Sequence, residues 1–297
     1  MSSELPSLRG GLRGGETWRL LVDGAADGAT NMSIDEAILH SVAAGQSPTL
    51  RFYQWNPPTI SLGYTQSAAL VDSPLDVVRR ITGGRTVLHQ HELTYMICIP
   101  ADDWRVKDGV LASYRRISAG LAAGLRQLGV ELDAVGVDVR ANRDSAACFD
   151  QPSASEIVVR GRKLIGSAQT RRRGVVLQHG SIPLYGDVGT IVDHLSLSLS
   201  ERDSLRRHLR HHATTLTWAL GKTPHISDVI CALLNGLSTA LDIQFTEGEM
   251  TVTENLLATQ LRDEKYLMEM WTHQRKQSGL VVRPDTTSPL VEKEKTR

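Results

Sequence analysis

Apolar positions recur at two spacings along this chain. Thr17–Asp23 (TWRLLVD) alternates at the period of a strand. The spacing then lengthens: Ser33 and Glu36 stand as a capping box, with Met32, Ile34, Ala37, Ile38 and Leu39 in the apolar pattern, so a first helix is expected to end near Gly45. Strand patterns return at Leu50–Trp55 and Thr59–Leu62, broken by Asn56-Pro57-Pro58. Val77–Arg80 and Thr86–His89 flank a glycine turn, Thr82-Gly83-Gly84-Arg85, and Leu93–Ile99 reads as a buried strand. Leu111–Leu128 fits a longer helix stopped at Gly129.

Arg140–Ser155 lacks periodicity and is expected to be a loop. Glu156–Arg160 and Lys163–Gln169 bracket Gly161-Arg162, a pair that suits a type II′ hairpin, and Val175–Leu184 adds a further strand. From Asp187 the pattern turns helical, with helices expected at 188–196, 203–219, 226–242 and 252–272. Strands crowd the first two thirds and helices the last, which is an α+β layout: a mixed sheet flanked by helices. Residues 1–16 and 273–297 read as disordered tails, leaving one domain over 17–272.

Composition narrows the partners. Hydrophobic residues make up 41% of the 297, enough for a sizeable core. Lys plus Arg equals Asp plus Glu at 33 each, so no chain-wide field draws nucleic acid. No apolar run reaches the length of a membrane span and no secretory signal is visible. Three cysteines make no disulfide framework and fit a reducing compartment, so a cytoplasmic location is expected.

Elimination among the cysteines is informative. Cys98 (MICI) and Cys231 (VICALL) read as small buried hydrophobes. Cys148 lies among small residues, SAACFDQPS, where a substrate can approach its sulfur; a structural cysteine is the competing reading. An ordinary thiol is only about 3% thiolate at neutral pH, so a nucleophilic role needs a nearby cation. Lys163, opening the return strand of the next hairpin, is the best placed, with Arg160 and Arg162 as alternatives and a solvated lysine as the bland reading.

Other charged stretches carry weaker signals. Arg79, Arg80 and Arg85 surround a Gly-Gly turn whose bare backbone would approach an anion or an acyl carbonyl, although a solvated hairpin turn would look the same. Glu156–Gly174 holds a local charge of +5, including Arg171, Arg172 and Arg173, a patch able to dock an acidic carrier protein. His89 and His91 would share a strand face, and His208, His211 and His212 would cluster on a helix. Neither is a complete ligand set, so no metal or other cofactor is expected.

Three longer stretches are more specific. Asn31–Ala37 through Leu50–Pro58, and then Arg79-Arg80-Ile81-Thr82-Gly83-Gly84-Arg85-Thr86-Val87-Leu88-His89, resemble the lipoate-protein ligase and octanoyltransferase superfamily. Glu92–Tyr95, Ser145–Pro152, and Gly161–Thr170 leading to Gln178–Ile182 are similar to its cysteine-dependent octanoyltransferases. The resemblance covers about residues 17–272. It departs at Ile81, where a proline is usual, and at Gln90, where an aspartate is common.

This resemblance implies the biotin/lipoate-protein ligase catalytic-domain fold. The implied activity carries an octanoyl group from octanoyl-acyl carrier protein to a lysine of a lipoyl domain, such as the glycine-cleavage H protein, with neither nucleic acid nor membrane as partner. Cys148 matches the acyl-accepting cysteine and Lys163 its partner. Arg79, Gly83, Gly84, Arg85, His89, Gly166, Ser167 and Ala168 become candidate substrate-binding residues, and Arg171, Arg172 and Arg173 candidate carrier-docking residues. Competing readings are an ATP-dependent lipoate-protein ligase, an amidotransferase between lipoyl domains and a non-catalytic lipoyl-domain scaffold. Against the ligase, Arg85 stands where ligases usually have a third glycine.

Overall fold

In a computed structural model that describes residues 15–133 and 157–275, the alternating segments sort into two sheets. The strands are β1 (Glu16–Ala26), β2 (Thr49–Trp55), β3 (Thr59–Leu62), β4 (Asp76–Arg79), β5 (Val87–His89), β6 (Glu92–Pro100), β7 (Ile157–Val159), β8 (Arg162–Arg172), β9 (Val175–Pro183) and β10 (Ile243–Glu247). The larger sheet runs β10-β1-β2-β6-β9-β8-β7 and the smaller β4-β3-β5. Both are mixed: β1 pairs parallel with β10 and β2, while β2, β6, β9 and β8 pair antiparallel in turn.

Period-two alternation puts a different helical layer on each face. Leu93, Tyr95, Ile97 and Ile99 of β6 join one buried cluster, which includes Ile117, Leu121 and Leu125 of α2 (Val110–Gln127). Met96 and Cys98 join the other, with Met32, Ile38 and Leu39 of α1 (Gly28–Ala43). After β9 come a short 3₁₀ turn (Thr190–His194), α3 (Leu199–His212) and α4 (Leu216–Leu220). α5 (Ile226–Leu241), α6 (Val252–Leu261), a π-helical turn (Arg262–Tyr266) and α7 (Glu269–Gln274) follow. α5 lies against α2 at glycines: a side chain on Gly236 would run into the backbone of Gly120 and Gly124. The mixed sheet flanked by helices agrees with the expected fold class.

Several local expectations are corrected. The first helix begins at Gly28, where the Asp27 side chain caps the Thr30 amide at 2.7 Å. Ser33 is inside that helix, its hydroxyl donating to the Thr30 carbonyl at 2.9 Å, so it caps nothing. β4 and β5 do not pair with each other, because β3 lies between them. The β7–β8 turn is Arg160-Gly161, not Gly161-Arg162. Positive φ at both residues (48° and 75°) makes it type I′, and the Asp133 carboxylate accepts from both amides at 2.9 and 2.7 Å.

The long C-terminal helical expectations are split. The 203–219 span breaks at Ala213, and the 252–272 span bends through the π turn. β10 was not anticipated, and it extends the sheet at the edge of β1. Cys98 is fully buried, but Cys231 is partly exposed rather than buried. Glu16 already opens β1 and α7 runs to Gln274. The rest of both expected tails and the loop over Arg140–Ser155, Cys148 included, lie outside the described residues.

Candidate active site

Between the two sheets, under α1, is a narrow cavity that opens to solvent. Its apolar walls come from Met32 of α1, Trp55 at the end of β2 and Val87 of β5; Gly166, Ser167 and Ala168 of β8 and Gly180 of β9 line the far side. A side chain at Gly180 would collide with the Tyr95 ring and the Ser167 hydroxyl, so glycine here lets those two groups pack together on the α2 face of the sheet. Tyr95 OH lies 2.7 Å from Ser167 Oγ and accepts from Gln178 Nε2 at 2.8 Å. Burial pushes the Tyr95 phenol up to about 12, so it stays protonated.

Two histidines face this cavity, each held by a buried carboxylate. His89 Nδ1 is 2.8 Å from Glu92 and its Nε2 is 2.7 Å from the Ser61 hydroxyl, while Trp55 stacks on its ring at 3.8 Å. Thr94 Oγ1 donates to Glu92 at 2.5 Å, Ser181 Oγ donates to the same carboxylate, and Trp55 Nε1 donates to Thr94 at 2.8 Å. Burial alone would raise the Glu92 carboxyl, but the His89 charge and these donors outweigh it and hold it below the usual range.

His179 mirrors this arrangement, with Nδ1 at 3.1 Å from Asp35 and Nε2 at 2.7 Å from Thr82 Oγ1. Burial lowers its proton affinity more than Asp35 raises it. Asp35 in turn accepts from Arg51 Nη1 at 2.8 Å and from Tyr53 OH at 2.9 Å. Sequence reasoning singled out none of Asp35, Arg51, Ser61, Glu92 or His179 as a site residue. The available signal was charged or polar residues set within strongly apolar strand segments, such as Arg51 in TLRFYQW.

The structure brings some expected residues to this cavity and removes others. His89, Gly166, Ser167 and Ala168 line it. Gly83 and Gly84 border it through Arg80, whose guanidinium binds the Gly83 and Arg85 carbonyls at 2.8 and 2.7 Å and the Ser61 hydroxyl at 2.9 Å. Gly84 has φ +87° and lies so close to Gly63 that a side chain there would meet the Gly84 carbonyl. Arg79 faces elsewhere. Its buried guanidinium binds the carbonyls of Gly63, Gln66 and Thr272 at 2.9, 2.7 and 2.6 Å, fastening the C-terminal segment to the turn after β3.

Lys163, which spacing alone would leave in solvent, is 2% exposed. It lies three residues before Gly166 on β8, and its carbonyl accepts from the Thr214 amide at 2.9 Å. Of the basic trio, Arg171 turns inward to the Val106 carbonyl at 2.6 Å, Arg172 lies over the Tyr64 ring at 4.8 Å, and Arg173 is exposed at the β8–β9 turn.

The remaining histidines form no ligand set. His91 sits at φ 55° and stacks on Tyr185, while His208 stacks on His212. Among the described residues no three His, Cys, Asp or Glu side chains converge as metal ligands. Burial pushes the Cys98 thiol well up, the opposite of what a nucleophile needs.

With this geometry established, likeness to known proteins is specific. Residues 27–238 match the family of the lipoyl protein ligase A/B catalytic domain. Octanoyltransferase LipM of Kyrpidia tusciae is 42% identical over 274 residues, 88% of this chain and 100% of that protein. Octanoyltransferase LipM of Bacillus subtilis is 37% identical over 278 residues, 88% and 99% respectively. The solved bi-partite lipoate protein ligase of Thermoplasma acidophilum has a TM-score of 0.74 at 25% identity, covering 90% of this chain and all of that one. A lipoate-protein ligase A bound with ATP has a TM-score of 0.72 at 25% identity, covering 86% and 98%.

Proposed function

The chain belongs to the lipoyl protein ligase A/B catalytic-domain family and is an octanoyltransferase of protein lipoylation, and on that premise we propose a covalent, two-step route for it. The donor is octanoyl-acyl carrier protein, the acyl group rests as a thioester on Cys148, and the acceptor is a lysine of a lipoyl domain such as the glycine-cleavage H protein. One catalytic domain over 17–272 carries the reaction in the cytoplasm, and the saturated chain lies in the cavity walled by Met32, Trp55 and Val87.

The observation that supports the route is the burial of Lys163 on β8, three residues before Gly166, which lines the cavity. A cation close to a thiol favours the thiolate, which is the nucleophilic form. The Cys148 thiolate attacks the donor carbonyl, the new C–S bond forms as the bond to the carrier sulfur breaks, and the Lys163 ammonium gives that sulfur its proton. Acylation replaces the anion by a neutral thioester. Lys163, having given up that proton, can take one from the attacking lysine amine as the amide bond forms. Attack by that amine breaks the C–S bond and restores the thiolate.

Arg80 holds the Gly83 and Arg85 carbonyls before substrate arrives, which supports the turn amides there as donors to the tetrahedral oxyanion; the β8 amides at Gly166–Ala168 are the alternative.

Mass spectrometry after mixing with octanoyl-acyl carrier protein tests the route. A hydroxylamine-labile octanoyl adduct is expected on the wild type and not on Cys148→Ala. An adduct that persists in that variant ends the proposal. Lys163→Ala is expected to slow both acylation and transfer, and unchanged rates would remove its proton role.

A further inference from the structure

A second cavity, open to solvent, borders the first at Ser181, which lines both. Leu88, Val188 and Ile191 give it apolar walls, and Gln90, Thr190 and Thr215 give it hydrogen-bonding groups. Among the described residues no lysine or arginine lines it, whereas the carboxylates of Glu92 and Asp187 do. The segment that brings Thr215 to this cavity is fastened to the proposed catalytic strand, since Ala213 bridges Lys163 and the Thr214 amide donates to the Lys163 carbonyl. Cations gather outside it on α3, where Arg210 binds Asp187 at 2.5 Å and Arg206 binds Asp193 at 2.5 Å.

We infer that this second cavity receives the pantetheine arm through which the donor carries its acyl group, an assignment that rests on the acyl-transfer reading above. The arm is long and neutral, with two amides, a hydroxyl and a geminal dimethyl group, and alternating apolar walls and hydroxyl or amide partners suit it. A nucleotide triphosphate suits it less well, because among the described residues no lysine or arginine lines it to bind phosphates, and Arg210 at its edge is already paired with Asp187. The phosphodiester at the far end of the arm then emerges beside Arg206 and Arg210, so the carrier docks on α3 rather than at Arg171. Thiol exchange is balanced: the bond from the pantetheine sulfur to the acyl carbon breaks as the enzyme thioester forms, and pantetheine leaves as the thiol.

Two donors separate the cavities: octanoyl-pantetheine fills both, and octanoyl-N-acetylcysteamine, with the arm cut short, fills mainly the first. Val188→Trp and Thr190→Trp, at half-buried lining positions, should each lower the ratio of kcat/KM for the long donor over the short one about tenfold. Because it is a ratio, a general loss of folded enzyme does not move it. Free pantetheine should also inhibit acylation of the wild type by the short donor. A ratio unchanged in both variants overturns the channel alone, as does competition at the cavity by ATP instead of pantetheine. No adduct on the wild type from either donor overturns the acyl-transfer reading and the channel with it.

Discussion

Asp35 and His179 hold each other across the interface of α1 and β9, with the carboxylate 3.1 Å from Nδ1. The link continues on both sides, to Arg51 and Tyr53 behind Asp35 and to Thr82 beyond His179. Thr82 directly precedes Gly83 and Gly84, so a chain of buried polar contacts ends at the turn that borders the cavity. Glu92, His89 and Ser61 repeat the pattern from the other side. Buried networks of this kind are rigid while every member is satisfied and costly once one is lost.

His179 gives the first relay a pH dependence. Burial, with Arg80 and His89 acting in the same direction, holds its proton affinity below the ordinary value despite Asp35. Below about pH 6.5 the unfolded chain binds a proton that the folded one resists, so this group lowers stability as pH falls and contributes nothing above that point. The slope is at most about 1.4 kcal/mol per pH unit. Urea midpoints measured from neutral to mildly acidic pH should fall more steeply for the wild type than for His179→Gln. Parallel curves would show that His179 is not the titrating group.

Lys265 is 1% exposed, donates to both Glu36 oxygens at 2.8 and 2.7 Å, and lies over the Trp271 ring at 4.1 Å. Tyr266 OH donates to the same carboxylate at 2.5 Å. Lys265→Ala leaves the Glu36 charge buried without its cation and should cost about 3–5 kcal/mol in urea unfolding. Removing both charges in Glu36→Gln/Lys265→Met should recover most of that loss. A double variant as unstable as the single one would mean that packing, not the stranded charge, sets the cost.

Arg79 resembles a substrate-binding residue by motif, but among the described residues its guanidinium binds main-chain carbonyls, joining the turn after β3 to α7. Lysine cannot reproduce that fork. Arg79→Lys should therefore lower stability by about 2–4 kcal/mol, several charged hydrogen bonds being lost or weakened. It should also speed proteolytic removal of α7 while leaving KM for the octanoyl donor nearly unchanged in the folded fraction. A large KM change with normal stability would return Arg79 to the substrate site.

The α2–α5 crossing depends on backbone contact. Gly236→Ala and Gly124→Ala each insert a methyl where only backbone fits, so each should destabilise by about 1–3 kcal/mol although alanine favours helix. Thermal unfolding of either variant at or above the wild-type midpoint would show that the helices part without cost.

Elements with strong periodicity or local turn chemistry were legible in the residues alone. β6 and α2 are found within a residue or two of their expected ends, because an apolar strand and an amphipathic helix declare themselves locally. The Arg160-Gly161 turn type was missed because it depends on which residues adopt positive φ, and Asp133, far away in sequence, stabilises that choice. β10 was missed for a related reason: five residues with one buried position carry little pattern, and only pairing with β1 makes them a strand.

For the site, sequence by itself determined a glycine-bordered, basic stretch around Gly83 and Gly84 and the glycine of β8 at Gly166, since motifs fix local order and composition. It did not decide which cations face substrate. Arg79 and Lys163 both looked exposed on spacing, and only the tertiary structure turned one into a main-chain clamp and buried the other on the strand whose Gly166–Ala168 line the cavity. The carboxylates behind His89 and His179 became visible the same way. Asp35 and His179 stand 144 residues apart, and no local pattern reports a contact made when two distant segments exclude water between them.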